Sequence, residues 1–277
     1  TRSPRPHSPA SVSALAPNAT PSRVISATGV WTGETERMAG LGPDEGLQVL
    51  ASKGIHLVFD RDRIKGSTGL FLRTEKSVLF VIPWQRYWVI GTTDTVYEAD
   101  RLHPVATRAD IDYVLEHANS ALTSDLTRAD VIGTWAGLRP LLQPAESTSS
   151  TKVSREHTVS EVTPGLIVIA GGNLTTYRAM AEDAVDFAIG PRTAKSNPSV
   201  TAETPLVGGA RVSAARHHLD GQAEELGWDE ARVEHLIGRY GAEVLDLLAM
   251  IEEQPEWGDP LVAAPAYLAA EVAYAVL

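Results

Sequence analysis

Apolar residues fall in short runs along the first two thirds of the chain and in helical spacing along the last third. Arg23-Val-Ile-Ser-Ala-Thr-Gly-Val-Trp31 predicts a short buried strand ending in a tight glycine turn, with a helix-compatible stretch after it to about Gly46. From Gly54 to Thr95 the pattern becomes that of strands. Ile55–Phe59 and Val78–Ile82 are apolar runs bounded by turn residues, and Pro83–Arg86 links the second run to Tyr87–Gly91 as a hairpin. Strand alternation puts His56 and Val58 on one face, with Ile55 and Leu57 on the other.

Thr107-Arg-Ala-Asp110 has the form of a capping box, with Asp in place of the usual Glu, ahead of the helical spacing of Ile111, Val114, Leu115, Ala118 and Leu122. Val131–Trp135 returns to strand and Gly137-Leu-Arg-Pro140 closes it, with a loop at Ser147–Thr151. A strand pair, Thr158–Val162 and Leu166–Ala170, turns at Pro164-Gly165 and runs into Gly171-Gly172 and a helix from about Thr175 to Ile189. Helical spacing then fills Ala214–Glu225, Glu230–Arg239, Ala242–Glu252 and Tyr267–Leu277. The prediction is an α/β fold with a mixed sheet, followed by a carboxy-terminal all-α domain. Its divisions are a disordered segment at 1–22, rich in Pro and Ser, an α/β domain at 23–190, a linker at 191–205 and a helical domain at 206–277.

Composition narrows the classes. With 43% hydrophobic and 21% charged residues the chain is globular, and a formal net charge of −11 argues against nucleic-acid binding. An anionic substrate must therefore be held by a few local arginines. The absence of cysteine excludes disulfides, thiol catalysis and cysteine-bound metal, and no metal site is evident. No apolar run of about 18 residues occurs, and Thr1–Pro21 does not read as a secretory signal, so the expectation is a cytoplasmic protein. A start at Thr1 and an end inside the apolar run Tyr267–Leu277 lead us to expect a piece of a longer protein.

Several residues could carry chemistry, each with a structural reading beside the functional one. Gly171-Gly172-Asn173-Leu174-Thr175 opens a helix after an apolar strand, where free N–H groups suit a phosphate or an electron-rich carbonyl; an ordinary strand-to-helix turn is the other account. Ala27-Thr28-Gly29 is the same kind of element. His56 is a core histidine or a general base. Arg139 sits among apolar neighbours and needs an anionic partner, either a carboxylate or a substrate phosphate. Arg155 has Glu156 and His157 beside it as alternative partners. Asp94, in Gly91-Thr-Thr-Asp-Thr95, is expected to tie down a turn with its carboxylate.

Ser52-Lys-Gly-Ile-His-Leu57, Ile82-Pro-Trp84 with Ile90-Gly-Thr-Thr-Asp-Thr95, Gly137-Leu-Arg-Pro-Leu141, Ser154-Arg-Glu-His157 and Gly171-Gly-Asn-Leu-Thr-Thr-Tyr-Arg178 occur in this order. Together they resemble the flavin-dependent glycerol-3-phosphate dehydrogenases of the D-amino-acid-oxidase-like superfamily, over residues 23–277. The resemblance implies FAD/NAD(P)-binding architecture: a substrate-binding domain interleaved with returning elements of an FAD-binding domain over 23–190, and an incomplete helical domain at the end. It implies oxidation of sn-glycerol 3-phosphate to dihydroxyacetone phosphate, FAD as cofactor, quinone or the respiratory chain as acceptor, peripheral contact with the inner face of the plasma membrane, and a homodimer. His56 matches the active-site base, Arg139 and Arg155 the phosphate grip, and Ala27, Thr28, Gly29, Trp31, Gly171, Gly172, Asn173, Leu174 and Thr175 the flavin-contacting elements.

This sequence departs from that family in three ways. It lacks the Gly-x-Gly-x-x-Gly unit for the FAD pyrophosphate, along with a further arginine expected in the same region. It carries Asn173 where the family usually has Lys. Its carboxy-terminal end is short. Two other readings stand beside this one: a degenerate or non-catalytic substrate-domain fragment, and a related FAD-dependent amine or amino-acid oxidase.

Overall fold

The computed structural model describes residues 22–74, 78–143 and 156–276. The segment expected to be disordered, apart from Ser22, and the loop at 147–151 lie outside them. The chain divides into two compact units, residues 1–198 and 199–277.

The first unit holds two sheets. In the smaller, β1 (Val24–Ser26) runs parallel to β9 (Leu166–Gly171), which pairs antiparallel with β8 (His157–Thr163). Strand β1 is not buried as its sequence predicts. Among the described strands it bonds to β9 alone, which leaves Val24 and Ile25 exposed with only Ser26 of the strand covered. A short 3-10 turn and α1 (Thr32–Met38) follow it, while α3 (Tyr177–Ile189) follows β9.

The larger sheet is built around β2 (Val49–Asp60). One edge of β2 pairs with β5 (Tyr87–Gly91) and β6 (Thr95–Val96), and the other pairs with β7 (Gly133–Leu142) in an unbroken ten-residue ladder from Val49↔Leu142 to Val58↔Gly133. Beyond β5 lie β4 (Val78–Trp84) and β3 (Leu70–Arg73). The β4–β5 hairpin needs only Gln85 and Arg86 as its turn, with Gln85 at φ 52°, so the strand continues through Pro83. Strand β3 reaches only Val78–Val81, and the missing N–H of Pro83 falls beyond it.

Two strands run longer than the apolar pattern predicts. Strand β2 starts at Val49 because Ser52 and Lys53 are buried polar residues with partners inside the fold: Ser52 Oγ donates to Asp94, and Lys53 Nζ lies 2.6 Å from Asp110 Oδ2. Strand β7 continues through Gly137 and Pro140, two residues that look like a strand end. Among the described strands β7 pairs only with β2, and an edge strand tolerates a proline.

One face of this sheet makes the core. Ile55, Leu57, Phe59, Leu79, Val81, Trp88 and Ile90 pack there against Val114, Leu115 and Ala118 of α2 (Arg108–Asn119). Asp110 joins helix to sheet, since its Oδ2 accepts from Thr107 N, from Thr107 Oγ1 and from Lys53 Nζ. Burial works to raise the Asp110 pKa, but the bonds from Lys53 and Thr107 outweigh it and hold the carboxyl below its ordinary value.

Residues 191–205, expected to be a linker, contain α4 (Pro191–Ser196), and the two units meet in sequence between Pro198 and Ser199. The second unit packs α5 (Val212–Ala223), α6 (Glu230–Tyr240) and α7 (Val244–Glu253) around Leu219, Leu236 and Leu247. Its end is not the expected helix from Tyr267. A hairpin of β10 (Pro260–Leu261) and β11 (Ala264–Leu268) comes first, and α8 (Ala269–Tyr274) starts after it. The buried Glu271 carboxylate fixes that start by accepting from Leu268 N, His235 Nε2 and Tyr240 OH. Among the described residues no helix is long and apolar enough to cross a membrane.

Replacing Asp110 by Ala strands the Lys53 ammonium in the core and should cost about 3–5 kcal/mol in urea unfolding. The double change Lys53→Met with Asp110→Leu should recover most of it. An Asp110→Ala variant as stable as the parent would refute the role given to this pair.

Candidate active site

The face of β2 opposite the core carries Ser52, Gly54, His56 and Val58. The ladder sets Arg139 opposite Ser52, Gly137 opposite Gly54, and Trp135 opposite His56, with Gly91 of β5 on the other side of His56. Directly opposed residues in an antiparallel pair point to the same face, so Trp135, Gly137, Arg139 and Gly91 all share the surface that holds His56.

The His56 imidazole stacks on the Trp135 indole, with centroids 5.0 Å apart and planes 16° from parallel. On its other side it occupies the space that a Gly91 side chain would need, since a Cβ there would collide with the ring. His56 Nδ1 is buried and finds no hydrogen-bond partner among the described residues. Burial lowers the His56 pKa below its ordinary 6.5, and the Arg139 guanidinium lowers it further. The ring is therefore neutral at pH 7, the form that can accept a proton.

Arg139 folds back along the sheet. Its Nη2 donates to Thr92 Oγ1 at 2.9 Å and its Nη1 to the Thr93 carbonyl at 3.2 Å. The guanidinium lies over Gly54, where an added Cβ would collide with both Nη1 and Nη2. This carries the charge from the Ser52 row to the Gly54 row, one row of about 7 Å from His56. Thr93 in turn is buried and accepts the Ile55 N–H at 3.2 Å. Asp94 takes the Ser52 hydroxyl, an anchoring role at the strand end.

The elements assigned to the flavin meet near the Arg139 end of β7. Residues 27–31 form the turn after β1. The Thr35 hydroxyl donates to Thr28 Oγ1 at 3.0 Å, and Gly29, at φ 58°, lies against Pro140. Trp31 is partly exposed. Gly171 and Gly172 close β9 at φ 80° and 71°, and a Cβ on Gly171 would run into the Glu156 carbonyl and the Leu142 side chain. Asn173, Leu174 and Thr175 are exposed and begin the turn that leads into α3. Arg155 lies outside the described residues. Of its neighbours, His157 is bonded through Nε2 to Asp183 of α3 at 2.7 Å. Among the described residues no cluster of three or more His, Asp or Glu could hold a metal ion.

Sequence reasoning did not single out Trp135, Gly54, Gly91, Thr92 or Thr93. Alternation through 133–142 would have exposed the set Trp135–Gly137–Arg139, but Gly137 and Pro140 hid the strand.

The chain matches the family model described as FAD dependent oxidoreductase over residues 9–186, and the one described as the C-terminal domain of alpha-glycerophosphate oxidase over residues 199–277. It belongs to the FAD-dependent oxidoreductase family. It is 46% identical to glycerol-3-phosphate dehydrogenase of Mycobacterium leprae over 254 residues, covering 91% of this chain and 43% of that protein. It is 32% identical to the human mitochondrial glycerol-3-phosphate dehydrogenase over 261 residues, 91% of this chain and 35% of that protein. The crystal structure of the Bacillus halodurans glycerol-3-phosphate dehydrogenase complexed with FAD superposes with a TM-score of 0.71 at 32% identity, over 92% of this chain and half of that one. This family member thus spans half or less of the length of these relatives.

Because stacking on Trp135 is part of what desolvates His56, Trp135→Ala should move the His56 pKa up toward 6.5, followed by imidazole NMR. An unchanged titration would separate the two rings. The depressed pKa also has a stability consequence. Below pH 6.5 the unfolded chain takes up this proton more readily than the fold, so stability falls as pH drops from 6.5 through the lowered value. His56→Gln should remove that part of the acid sensitivity in thermal melts.

Proposed function

We propose that this chain is the substrate-binding part of an FAD-dependent glycerol-3-phosphate dehydrogenase, oxidising sn-glycerol 3-phosphate to dihydroxyacetone phosphate. The observation that carries the reading is the placement of a neutral His56 and the Arg139 guanidinium one strand row apart on a glycine floor. An alcohol oxidation needs a base at the hydroxyl. A phosphate ester needs a fixed cation a short carbon chain away. The two groups stand in that relation here.

His56 accepts the proton of the C2 hydroxyl. Its neutral state, kept by burial and by the neighbouring guanidinium, is what makes it competent near pH 7. Arg139, oriented by Thr92 and Thr93, binds the phosphate through charge-assisted hydrogen bonds, and Arg155 is its proposed second hand. Trp135 closes one face of His56 against water.

The residues present fit the ring end of FAD. The glycine pair at 171–172 leads to exposed backbone at 173–175 and a helix start that can meet an electron-rich carbonyl. Ala27–Gly29 and Trp31 form the second contact. When bound, FAD supplies the acceptor for the hydride that leaves C2. No Gly-x-Gly-x-x-Gly occurs in these 277 residues to hold its pyrophosphate. Asn173 is neutral where the resembling family has a cation, so reduced flavin should receive less electrostatic support here. Quinone as acceptor, a homodimer, and a cytoplasmic site peripheral to the inner face of the plasma membrane belong to the same proposal. Their support is the resemblance alone.

The test joins an amino-terminal FAD-binding segment to this chain and assays sn-glycerol 3-phosphate with an artificial electron acceptor; absence of flavin reduction would sink the reading. In that enzyme Arg139→Ala should raise KM roughly ten- to a hundredfold, and Asp94→Asn, which keeps an oxygen for Ser52, should change it little. His56→Asn should lower kcat on the order of 10²–10⁴-fold. Equal effects of the Arg139 and Asp94 changes would refute the phosphate assignment.

A further inference from the structure

The row between the His56–Trp135 pair and Arg139 is filled by two glycines facing each other, Gly54 on β2 and Gly137 on β7. Their emptiness has different causes. Gly54 makes room for the Arg139 guanidinium and the Thr92 hydroxyl, which already occupy the space above it. Gly137 makes room for no other described residue: a Cβ added to it meets no atom of the described residues within 4 Å. Its φ is not in the left-handed region, so the backbone does not need glycine there either. It is exposed. It lies in a strand, where glycine costs stability relative to a residue with a side chain.

Neither packing nor backbone geometry in the described residues thus accounts for glycine at 137, and the unfilled space lies beside the groups that would hold substrate. We infer that the substrate's carbon chain lies over Gly137, whose missing side chain makes it the residue that sets substrate size. This rests on the functional reading above and sharpens it. The seat takes a short, unbranched hydroxyalkyl phosphate, with its hydroxyl at His56 and its phosphate at Arg139. It excludes esters that carry a branch on the carbon between those groups. Any side chain at 137 would stand where that chain passes.

The test uses Gly137→Ala and Gly137→Val in the 277-residue chain, titrated separately with sn-glycerol 3-phosphate and with inorganic phosphate, following the heat and the His56 imidazole NMR signals. The expected result is that Gly137→Ala melts at or slightly above the parent temperature and binds sn-glycerol 3-phosphate roughly tenfold more weakly or worse. Inorganic phosphate, which needs only the arginine end, should stay within about twofold. Gly137→Val should abolish the ester's effect on His56 and still bind phosphate.

Three results would overturn the inference. Parent-like binding of the ester by both variants would show that the chain does not pass over Gly137. Equal loss of ester and phosphate would show that the substitution acts through Arg139. A clear drop in melting temperature for Gly137→Ala would show that the space is not free. Binding of neither ligand by the parent chain would overturn the functional reading itself, and the inference with it.

Discussion

The register between β2 and β7 is the constraint on which the site depends. Ten consecutive pairs fix it, from Val49↔Leu142 to Val58↔Gly133. Because side chains alternate with a period of two, a slip of one residue would turn His56 into the core and bring Ile55 and Leu57 to the surface. The buried side chains of Ile55, Leu57 and Phe59 make that slip prohibitive. The apolar face of β2 therefore holds the chemical face in place, and the two share one strand without sharing any side chain.

Glycine on that chemical face works by leaving volume. At Gly91 the space goes to the His56 ring and at Gly54 to the Arg139 guanidinium. The two functional groups are thereby laid flat along the sheet, close to each other, instead of standing away from it. Proximity then feeds into electrostatics. Burial of the His56 ring, with Nδ1 enclosed, is the larger cause of its lowered pKa, and the neighbouring Arg139 cation acts in the same direction. The packing that brings the two groups together also gives the imidazole its charge state.

Polar residues inside the fold account for most of what a pattern of apolar positions could not show. Lys53 and Ser52 look like the end of a strand, yet they lie within one, because Asp110 and Asp94 meet them from distant parts of the chain. Glu271 looks like an ordinary residue of a terminal helix, yet it is buried and sets where that helix begins. In each case the partner is more than thirty residues away or on another element. Apart from the Leu268 N–H three residues before Glu271, a local window contains no sign of these partners.

Local pattern was enough for the elements whose reasons are local. The capping box at Thr107 with Asp110 marks the start of α2, helical spacing marks α5, α6 and α7, and the order of short motifs carries the family and names His56 and Arg139. Pairing across the sheet decided the rest. That Trp135 stacks on His56, that Arg139 lies over Gly54, and that Gly137 faces no other described residue follow from which residue stands opposite which. The physical reason is that a strand's neighbours are supplied by other strands, so the shape of this face is written in the ladder and not in any single run of the chain.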